Sequence, residues 1–359
     1  MALIKASVMT SLSPIALIYM GGTFGSIGQP LQPLAAAQFL PHLQQLLGDA
    51  YPALQSFIAA PYSCDSSQLQ PQHWQALLTQ FSQLQQQGLH KILLIHGTDT
   101  LAYAAALLAE FLAGCGLQVV VTGSQFPLLE QTGQGLNPHS DALHNLKLAY
   151  QSLTQSHAEG VWVAFDGQVW PALSVQKIHS TATPTFATSL ADSQTNGTCD
   201  VDIDIDIDKN TYPDTLTHAP LSLNTAALNQ LNIVMYYVLP LAAALQAQQL
   251  EQLIEAEPQA IIILAFGSGN LPQHPAMAAA LERAWQAQIL VVLASQVTFG
   301  GVNFNYAAAH WLQQSGVLSA AQLPIPALYA RLAWLLCQDL SFAARQALWN
   351  ARLINAGLS

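Results

Sequence analysis

Residues 91–100 read KILLIHGTDT, and this stretch indicates how the first half of the chain folds. A short run of strand-forming residues ends at a polar turn, and the helical pattern of residues 100–113 follows at once. The apolar runs at 15–20, 118–122 and 161–165 stand in a similar setting, each followed by a turn. Parallel strands joined by helices are buried on both faces. The repetition therefore predicts an α/β fold with a mostly parallel sheet and helices on both faces.

The second half of the chain repeats the pattern on a smaller scale. Apolar runs at 233–238, 261–266 and 289–294 alternate with helical stretches, which predicts a smaller α/β domain. Between the two halves the sequence is rich in Asp, Thr, Asn and Pro and has no helical period, as is typical of an interdomain segment. We predict an N-terminal domain at 1–190, an acidic connector at 191–226 and a C-terminal domain at 227–359.

Composition limits the kinds of partner that the chain can bind. It has 359 residues with 9 Lys and Arg against 20 Asp and Glu, and the net charge of −11 argues against nucleic acids and anionic membrane surfaces. Hydrophobic residues make up 52% of the chain, yet the longest apolar runs, such as 261–266 and 289–294, are far shorter than the roughly 18 residues that span a bilayer. We therefore expect buried strands, no membrane span and a small-molecule substrate.

The spacing of the cysteines indicates which cellular compartment to expect. Cys64, Cys115, Cys199 and Cys337 are far apart, form no C-x-x-C pair and do not have the spacing of a metal site. A chain this long needs no disulfide framework, so we expect a reducing cytoplasm. The apolar run at 15–20 lacks a small-residue cleavage site, and we interpret it as a first strand rather than as part of a signal peptide.

Two turns place reactive groups directly after predicted strands. Residues 21–28 read GGTFGSIG, which fits neither the dinucleotide fingerprint nor a P-loop, so the notable group there is the hydroxyl of Thr23. Thr98 and Asp99 follow the strand predicted at 91–95. Because parallel strands present their carboxyl ends to one edge of a sheet, we expect these three side chains to converge. A simple tight turn at 21–28, and a helix N-cap role for Asp99, remain open as alternatives.

Three motifs occur in a fixed order: Gly-Gly-Thr at 21–23, His-Gly-Thr-Asp-Thr at 96–100 and Thr-Gly-Ser-Gln at 122–125. In this order they resemble the bacterial L-asparaginase family, and particularly its cytoplasmic type I branch. Three further segments strengthen the resemblance: Asp65-Ser66-Ser67 with Pro71 and Trp74, Ser140-Asp141-Ala142 with Asn145 and Leu146, and Gly267-Ser268-Gly269-Asn270. The resemblance implies a two-domain asparaginase-like fold.

The resemblance also implies a catalytic role for each matching residue. Thr23 matches the nucleophile, which attacks the side-chain amide carbonyl of the substrate to form an acyl-enzyme. Thr98, Asp99 and Lys177 match the second triad of the family, and for Lys177 the match rests on its spacing from the strand at 161–165. A threonine hydroxyl needs a base to become a good nucleophile, and a nearby lysine can act as that base or in a proton relay.

The implied reaction converts L-asparagine and water to L-aspartate and ammonia. Asp65, Ser66 and Ser67 match the substrate-binding loop, to which Thr98 and Asp99 are added; Ser66 would bind the α-carboxylate and Asp99 the α-ammonium. This chemistry requires neither a metal ion nor an organic cofactor. The family resemblance further implies a homodimer or a dimer-of-dimers tetramer, with each site between the N-terminal domain of one subunit and the C-terminal domain of a neighbour.

The chain departs from the family pattern at several positions. Residues 28–33 read GQPLQP and lack the tyrosine that the family carries on the loop after the nucleophile, and Gln68 replaces an aspartate. These changes leave open a catalytically weak or inactive asparaginase-like protein that binds amino acids. The acidic composition disfavours a third candidate, the asparaginase-like component of a tRNA-dependent amidotransferase. Leu264 and Val297 replace the arginine and the cysteine of an allosteric asparagine site in some type I members, so we predict no such site.

Overall fold

A computed structural model describes residues 12–155, 158–188, 224–304 and 307–355. Its strands are β1 (Ile15–Tyr19), β2 (Ser26–Ile27), β3 (Gln32–Pro33), β4 (Leu54–Ala59), β5 (Lys91–Ile95), β6 (Gln118–Thr122), β7 (Gly160–Phe165), β8 (Gln168–Pro171), β9 (Val175–Lys177), β10 (Phe186–Thr188), β11 (Ile233–Tyr237), β12 (Ala260–Ala265), β13 (Leu290–Ser295) and β14 (Leu318–Ser319). Its helices are α1 (Ala36–Leu47), α2 (Pro71–Gln86), α3 (Leu101–Phe111), α4 (Ala142–Gln155), α5 (Ala243–Glu255), α6 (Pro275–Gln286), α7 (Ala307–Gln314), α8 (Ile325–Leu336) and α9 (Phe342–Asn355).

The larger sheet occupies the N-terminal half of the described chain, with strands in the order β4-β1-β5-β6-β7-β8. Every neighbouring pair is parallel except β7 and β8, which are antiparallel. The predicted mostly parallel sheet is confirmed, and β1, β5, β6 and β7 agree with the predicted runs to within one residue at each end. The prediction missed β4. That edge strand is mostly half-exposed or exposed and has no continuous apolar run.

Helices cover both faces of this sheet. Successive residues of a strand point to opposite faces, so an apolar run places apolar side chains on both faces and both must be buried. On one face Ile18 packs in a cluster with residues of α2 and α3, including Phe81 and Leu107. On the other face Leu17 packs with residues of α1 and α4, including Phe39 and Leu146. Strands that are buried on both sides need apolar residues at every position, which is why they read as continuous runs in the sequence.

The boundaries of α2 show how local sequence sets a helix. Pro71 occupies the first turn, where its missing N–H costs no intrahelical hydrogen bond. Gln70 and His73 form a reciprocal capping box, with Nδ1 of His73 accepting the backbone N–H of Gln70 at 3.1 Å. After Gln87, Gly88 adopts a φ of +81°, a conformation that ends helices and favours glycine. These signals place α2 directly behind the loop that contains Ser66.

The C-terminal sheet is smaller and is parallel throughout, in the order β11-β12-β13-β14. One face packs against α5 and α6, through residues such as Ile261 and Leu281. The other face, which includes Ile262 and Val292, belongs to the same apolar cluster as α2, α3 and α8. The two sheets are therefore joined by a continuous core, and α8 packs between the C-terminal sheet and the helices of the N-terminal half.

A buried ionic cluster reinforces this junction. Glu110 of α3 accepts a hydrogen bond from Nε of Arg331 in α8 at 2.9 Å and another from Arg352 in α9. The three side chains are at most 4% exposed. Burial alone would raise the pKa of Glu110, but the two guanidinium groups together hold it below its usual value. Arg352 also lies 3.7 Å from the ring centroid of Trp334.

Two further sequence predictions concern the connector and the absence of a membrane span. The connector predicted at 191–226 lies almost entirely outside the described residues, and the predicted domain boundaries stay predictions. None of the described helices combines the length and apolar character needed to cross a bilayer.

Candidate active site

Glycines allow the loops at the carboxyl edge of the large sheet to touch. A Cβ atom on Gly22 would lie 2.4 Å from the Cα of Gly97, and one on Gly97 would lie 2.6 Å from the Oγ of Ser66. Gly123, after β6, is equally restricted, since its Cβ would lie 2.3 Å from the carbonyl oxygen of His96. No residue with a side chain fits these contacts. The turns that precede Thr23 and Thr98 are therefore packed backbone to backbone, and the side chain of Ser66 packs directly on Gly97.

Lys177 lies against the turn that follows β5. Its ammonium donates hydrogen bonds to Oγ1 of Thr98 at 2.9 Å and to Oδ1 of Asp99 at 2.8 Å. Thr98 is 7% exposed and the Lys177 side chain 19%, whereas the Asp99 side chain is 61% exposed. The structure thus brings together three of the predicted site residues, although Thr98 and Lys177 are 79 positions apart in the sequence.

Asp99 does not cap the helix that follows it. Helix α3 begins at Leu101 with Thr100 as its N-cap, and no side chain caps it. The hydroxyl of Thr100 instead donates to the carbonyl oxygen of Ser66 at 2.9 Å. The N-cap alternative for Asp99 is wrong, because Thr100 is the N-cap residue. The Asp99 carboxylate is instead paired with Lys177.

Thr23 is half-buried and starts a single 3₁₀ turn, Thr23–Gly25. The turn is held on both sides: Ser26 donates its hydroxyl to the carbonyl oxygen of Gly22 at 2.9 Å, and Phe24 is fully buried against Phe39. Gly25 lies so close to the ring of Tyr19 that a Cβ there would be 2.1 Å from its hydroxyl oxygen. Thr23 is therefore fixed beside the Gly22–Gly97 contact, one residue along the chain from Gly22.

The three residues of the predicted substrate loop differ in their contacts and in their burial. Asp65 accepts hydrogen bonds from the backbone N–H and the hydroxyl of Ser67, at 2.8 and 2.7 Å, and so caps the 3₁₀ turn Ser66–Gln68. Asp65 and Ser67 are exposed, while Ser66 is 5% exposed and touches Gly97. Of the three residues, Ser66 is placed deepest at the sheet edge, and Asp65 orders the turn that presents it.

The β2–β3 hairpin follows Thr23 and has an exposed tip at Gln29, Pro30 and Leu31. The start of its loop is fixed by a hydrogen bond from the N–H of Gly28 to the carbonyl oxygen of Gln131 at 3.0 Å. No tyrosine occurs between Thr23 and Pro33. The described hairpin therefore provides no phenol beside Thr23.

His96 is a buried group for which the sequence indicated no role. Its Nδ1 lies 2.8 Å from the carbonyl oxygen of Gly97, and its ring stacks on Trp74 with centroids 5.9 Å apart. Burial lowers the pKa of His96 from 6.5 to about 4, against the opposing effect of the hydrogen bond to Gly97. His96 is neutral at pH 7, and its Nδ1 carries the proton that bonds Gly97. Histidines of this kind hold a backbone turn in place.

Asp141 organises the turn after β6. Its two carboxylate oxygens accept the backbone N–H groups of Gln125 and Phe126, both at 2.9 Å. Asn145, one helical turn further on, donates to the carbonyl oxygen of Gly123 at 3.1 Å and to Asp141 at 2.9 Å. The matching segment at 140–146 therefore serves to shape this edge of the sheet. Among the described residues, no three His, Cys, Asp or Glu side chains are close enough to hold a metal ion.

Comparisons with known proteins agree with this architecture. Residues 14–206 match the family described as asparaginase, N-terminal, and residues 237–349 match the glutaminase/asparaginase C-terminal domain. L-asparaginase 1 of Escherichia coli (strain K12) is 27% identical over 330 residues, covering 90% of this chain and 92% of that protein. A glutamyl-tRNA(Gln) amidotransferase subunit of Pyrococcus horikoshii is 25% identical, covering 79% of this chain and 63% of that protein.

Among solved structures, L-asparaginase I of Vibrio cholerae superposes with a TM-score of 0.75 at 25% identity, covering 94% of this chain and 97% of that one. Fold and family together define the class, a two-domain α/β amidohydrolase. The chain belongs to the asparaginase family.

Proposed function

We propose that the chain hydrolyses L-asparagine to L-aspartate and ammonia through an acyl-enzyme on Thr23. The observation that carries this proposal is the contact of the Lys177 ammonium with Thr98 and Asp99, at 2.9 and 2.8 Å, on the turn that packs against Gly22. The Asp99 side chain is 61% exposed, and an ion pair with so exposed a partner contributes at most about 1 kcal/mol to stability. Its value therefore lies in holding a hydroxyl and an ammonium beside the reacting threonine.

The reaction then proceeds in two steps. In the first, the Thr23 oxygen attacks the side-chain amide carbon while Lys177, acting as a free amine through the Thr98 hydroxyl, takes up the threonine proton. Lys177 then returns a proton through Thr98 to the amide nitrogen, which leaves as ammonia. In the second, water attacks the ester, one proton returns to Thr23 and L-aspartate is released. General-base assistance of this kind contributes about a hundred- to ten-thousandfold in rate. Backbone N–H groups of the packed turns would stabilise the oxyanion of each step.

Substrate recognition uses charge at the edge of the same site. Asp99 is paired through Oδ1 and is 61% exposed on its side chain, which leaves Oδ2 for the α-ammonium of an amino acid. Ser66 and the N–H groups of its turn would receive the α-carboxylate, while Asp65 and Ser67 hold the turn in shape. One carboxylate and one hydroxyl-lined turn are sufficient to select an α-amino acid.

We also propose that two copies of the chain associate through the edge strand β11. Met235, Tyr237 and Leu239 are 45%, 54% and 51% exposed, and Tyr236 between them is buried. Among the described strands, β11 has a neighbour on one side only, and a strand edge with a row of large apolar side chains is typical of a protein interface. Sedimentation at equilibrium should give a dimer or a tetramer, and Tyr237→Lys should shift it toward the monomer.

The cysteines support a cytoplasmic location. Cys64, Cys115 and Cys337 are all free thiols in the described structure. Intracellular proteins keep their cysteines in this state.

The principal alternative is an asparaginase-like protein that binds amino acids with little or no turnover. The observation that favours it is the β2–β3 hairpin, which follows Thr23 without a tyrosine. The amidotransferase alternative is weaker, since the chain carries a net charge of −11, which disfavours binding to tRNA.

Ammonia release from L-asparagine tests the proposal directly. The purified, folded protein should release ammonia, and L-glutamine in the same assay measures its preference between the two amides. Thr23→Val keeps the shape of the side chain and removes the hydroxyl, so it should lower the rate at least about a thousandfold. Thr23→Ser keeps a nucleophile and serves as the matched control. Thermal stabilisation by asparagine without ammonia release would support the binding protein instead.

A further inference from the structure

Lys177 is not part of either large sheet. It lies at the end of β9, which pairs with β10 as a separate two-stranded hairpin, and Phe186 is its cross-strand neighbour. The hydrogen-bond ladder of the main sheet therefore does not fix the position of the lysine over Thr98. Whatever anchors this hairpin sets the distance between the ammonium and the hydroxyl.

A carboxylate anchors the hairpin close to the lysine. Oδ2 of Asp166 accepts the backbone N–H of Thr185 at 2.6 Å. The carbonyl oxygen of Thr185 in turn accepts the N–H groups of Ile178 and His179, the two residues after Lys177, at 2.9 and 3.3 Å. Thr185 thus links Asp166 to the chain that leaves Lys177.

Two further contacts reinforce this anchor. Phe165 and Phe186, which are adjacent in sequence to Asp166 and Thr185, pack edge to face with ring centroids 5.0 Å apart. Nε2 of Gln125 donates to the carbonyl oxygen of Ser180 at 2.8 Å, within the loop that joins β9 to β10.

Asp166 is itself held in an unusual conformation. It has a φ of +50° in the Asp-Gly turn between β7 and β8, a region that non-glycine residues rarely adopt. Its backbone N–H donates to Oδ1 of Asn145 at 3.1 Å, and Asn145 is fully buried. Because Asn145 also bonds the turn at Gly123, one side chain fixes both the turn after β6 and the residue that anchors the lysine hairpin.

We propose that Asp166 is a positioning residue for catalysis, which acts through Thr185 to hold the Lys177 ammonium at Thr98. This inference rests on the proposed function of the same site. The Asp166 carboxylate has no direct part in the chemistry; it fixes the hairpin so that the lysine remains within hydrogen-bond distance of the hydroxyl. Displacing a reacting group by about 1 Å can cost about a hundredfold in rate, so the anchor has a measurable consequence.

Two substitutions at Asp166 distinguish the effect of the carboxylate from the effect of the backbone conformation. Asp166→Gly removes the acceptor, and glycine tolerates a positive φ without strain. Asp166→Asn keeps an oxygen acceptor in the same place, and asparagine also tolerates this conformation. We expect Asp166→Gly to lower kcat about ten- to a hundredfold with KM changed by less than about threefold. Asp166→Asn should stay within about threefold of the parent in both.

A double-mutant cycle distinguishes positioning from general structural support. In a Lys177→Met background there is no ammonium to position, so Asp166→Gly should cause no further loss of the residual rate. An additive loss in that background would overturn the proposal, as would an unchanged kcat in the single variant. If Asp166→Gly fails to fold, Gln125→Met removes a different polar contact of the hairpin, the hydrogen bond to Ser180. It should lower kcat several-fold, and no change would count against the proposal.

A crystal structure of Asp166→Gly gives a readout that does not depend on activity. We expect the 2.9 Å contact between Nζ of Lys177 and Oγ1 of Thr98 to be lost. If the parent protein releases no ammonia, the proposed function fails, but this distance still decides whether Asp166 positions the lysine. Retention of the contact in the variant would overturn the inference.

Discussion

Two charged clusters in this protein differ in what surrounds them. Glu110 is enclosed by two arginines at the junction of α3, α8 and α9, and all three side chains are at most 4% exposed. Asp99 is paired with Lys177 at the edge of the large sheet, and its side chain is 61% exposed. The first cluster is shielded from water, whereas the second is open on the side where a substrate would approach.

The difference in exposure indicates that the Glu110 cluster stabilises the fold, whereas the Asp99–Lys177 pair serves the proposed reaction. Removing one partner of a buried cluster leaves an uncompensated ion in a medium of low polarity, which is strongly destabilising. Removing one partner of an exposed pair changes stability little, because water replaces the lost contact. Lys177 is also bonded to the hydroxyl of Thr98, a reactive group that the Glu110 cluster lacks. Substitutions should therefore affect stability at one cluster and turnover at the other.

Replacing Lys177 should have the largest effect on activity. Lys177→Met keeps the length of the side chain and removes the ammonium, and we expect the rate of ammonia release to fall about a hundred- to ten-thousandfold. Stability in urea should change by less than about 1 kcal/mol. Lys147→Met, at an exposed position on α4, is the matched control and should leave both quantities unchanged. A normal rate in Lys177→Met would remove the lysine from the mechanism.

Replacing Glu110 should have the largest effect on stability. Glu110→Gln leaves two buried arginines without a counter-ion, and we expect the free energy of unfolding to fall by about 3–5 kcal/mol. The matched control is Glu251→Gln, which breaks the exposed pair with Arg283 and should cost at most about 1 kcal/mol. Equal losses in the two variants, measured by urea denaturation, would contradict the assignment of Glu110 to the structure.

The pH dependence of unfolding should report another buried group, His96. Its pKa is about 4 in the folded protein and about 6.5 when unfolded, so the unfolded chain binds more protons between these values. The folded state therefore loses up to about 3 kcal/mol of stability as the pH falls from 6.5 to 4. His96→Gln should flatten the profile in this window. An unchanged slope would mean that His96 is charged in the folded protein.

Glu110 should titrate in a lower window. Its pKa is depressed in the folded state, so its contribution is present above the ordinary carboxyl pKa and is lost as the pH falls through the lower folded value. Glu110→Gln should flatten the stability profile only at this acidic end. A flattening near pH 6 would show that the carboxyl is not held ionised by its arginines.

The smallest effect on activity is expected from asparagine at an uncharged cleft beside the β9–β10 hairpin. It lies at the carboxyl edge of the C-terminal sheet, extends to Gln176, and includes Leu264 and Val297. No charged side chain lines it within the described structure. A zwitterionic amino acid would find no counter-ion there. We therefore expect asparagine saturation to be hyperbolic, and a sigmoidal curve would contradict this prediction.

Much of the large sheet and of the candidate site could be predicted from the sequence. Runs such as residues 91–95 are apolar because they are buried on both faces, so their pattern marks the strands and the turns that end them. Spacing from such a strand, matched to the family pattern, was enough to select Lys177, which the structure places against Thr98.

Other features could not be predicted because they depend on tertiary contacts. Glu110 meets Arg331 and Arg352 across 221 and 242 positions, and nothing in the local sequence pairs them. Asp166 looks like an ordinary Asp-Gly turn until its carboxylate is seen to bond Thr185. The motif also did not indicate that Oδ1 of Asp65 accepts both the backbone N–H and the hydroxyl of Ser67, and substrate binding by Asp65 stays a prediction.

The covalent step tests the central claim most directly. Folded protein should be mixed with L-asparagine, quenched in acid within one turnover and measured by intact mass and peptide mapping. We predict an aspartyl ester on the peptide that contains Thr23, present in the parent and absent from Thr23→Val. Ammonia release with the ester on Thr98, or with wild-type turnover in Thr23→Val, would contradict the account.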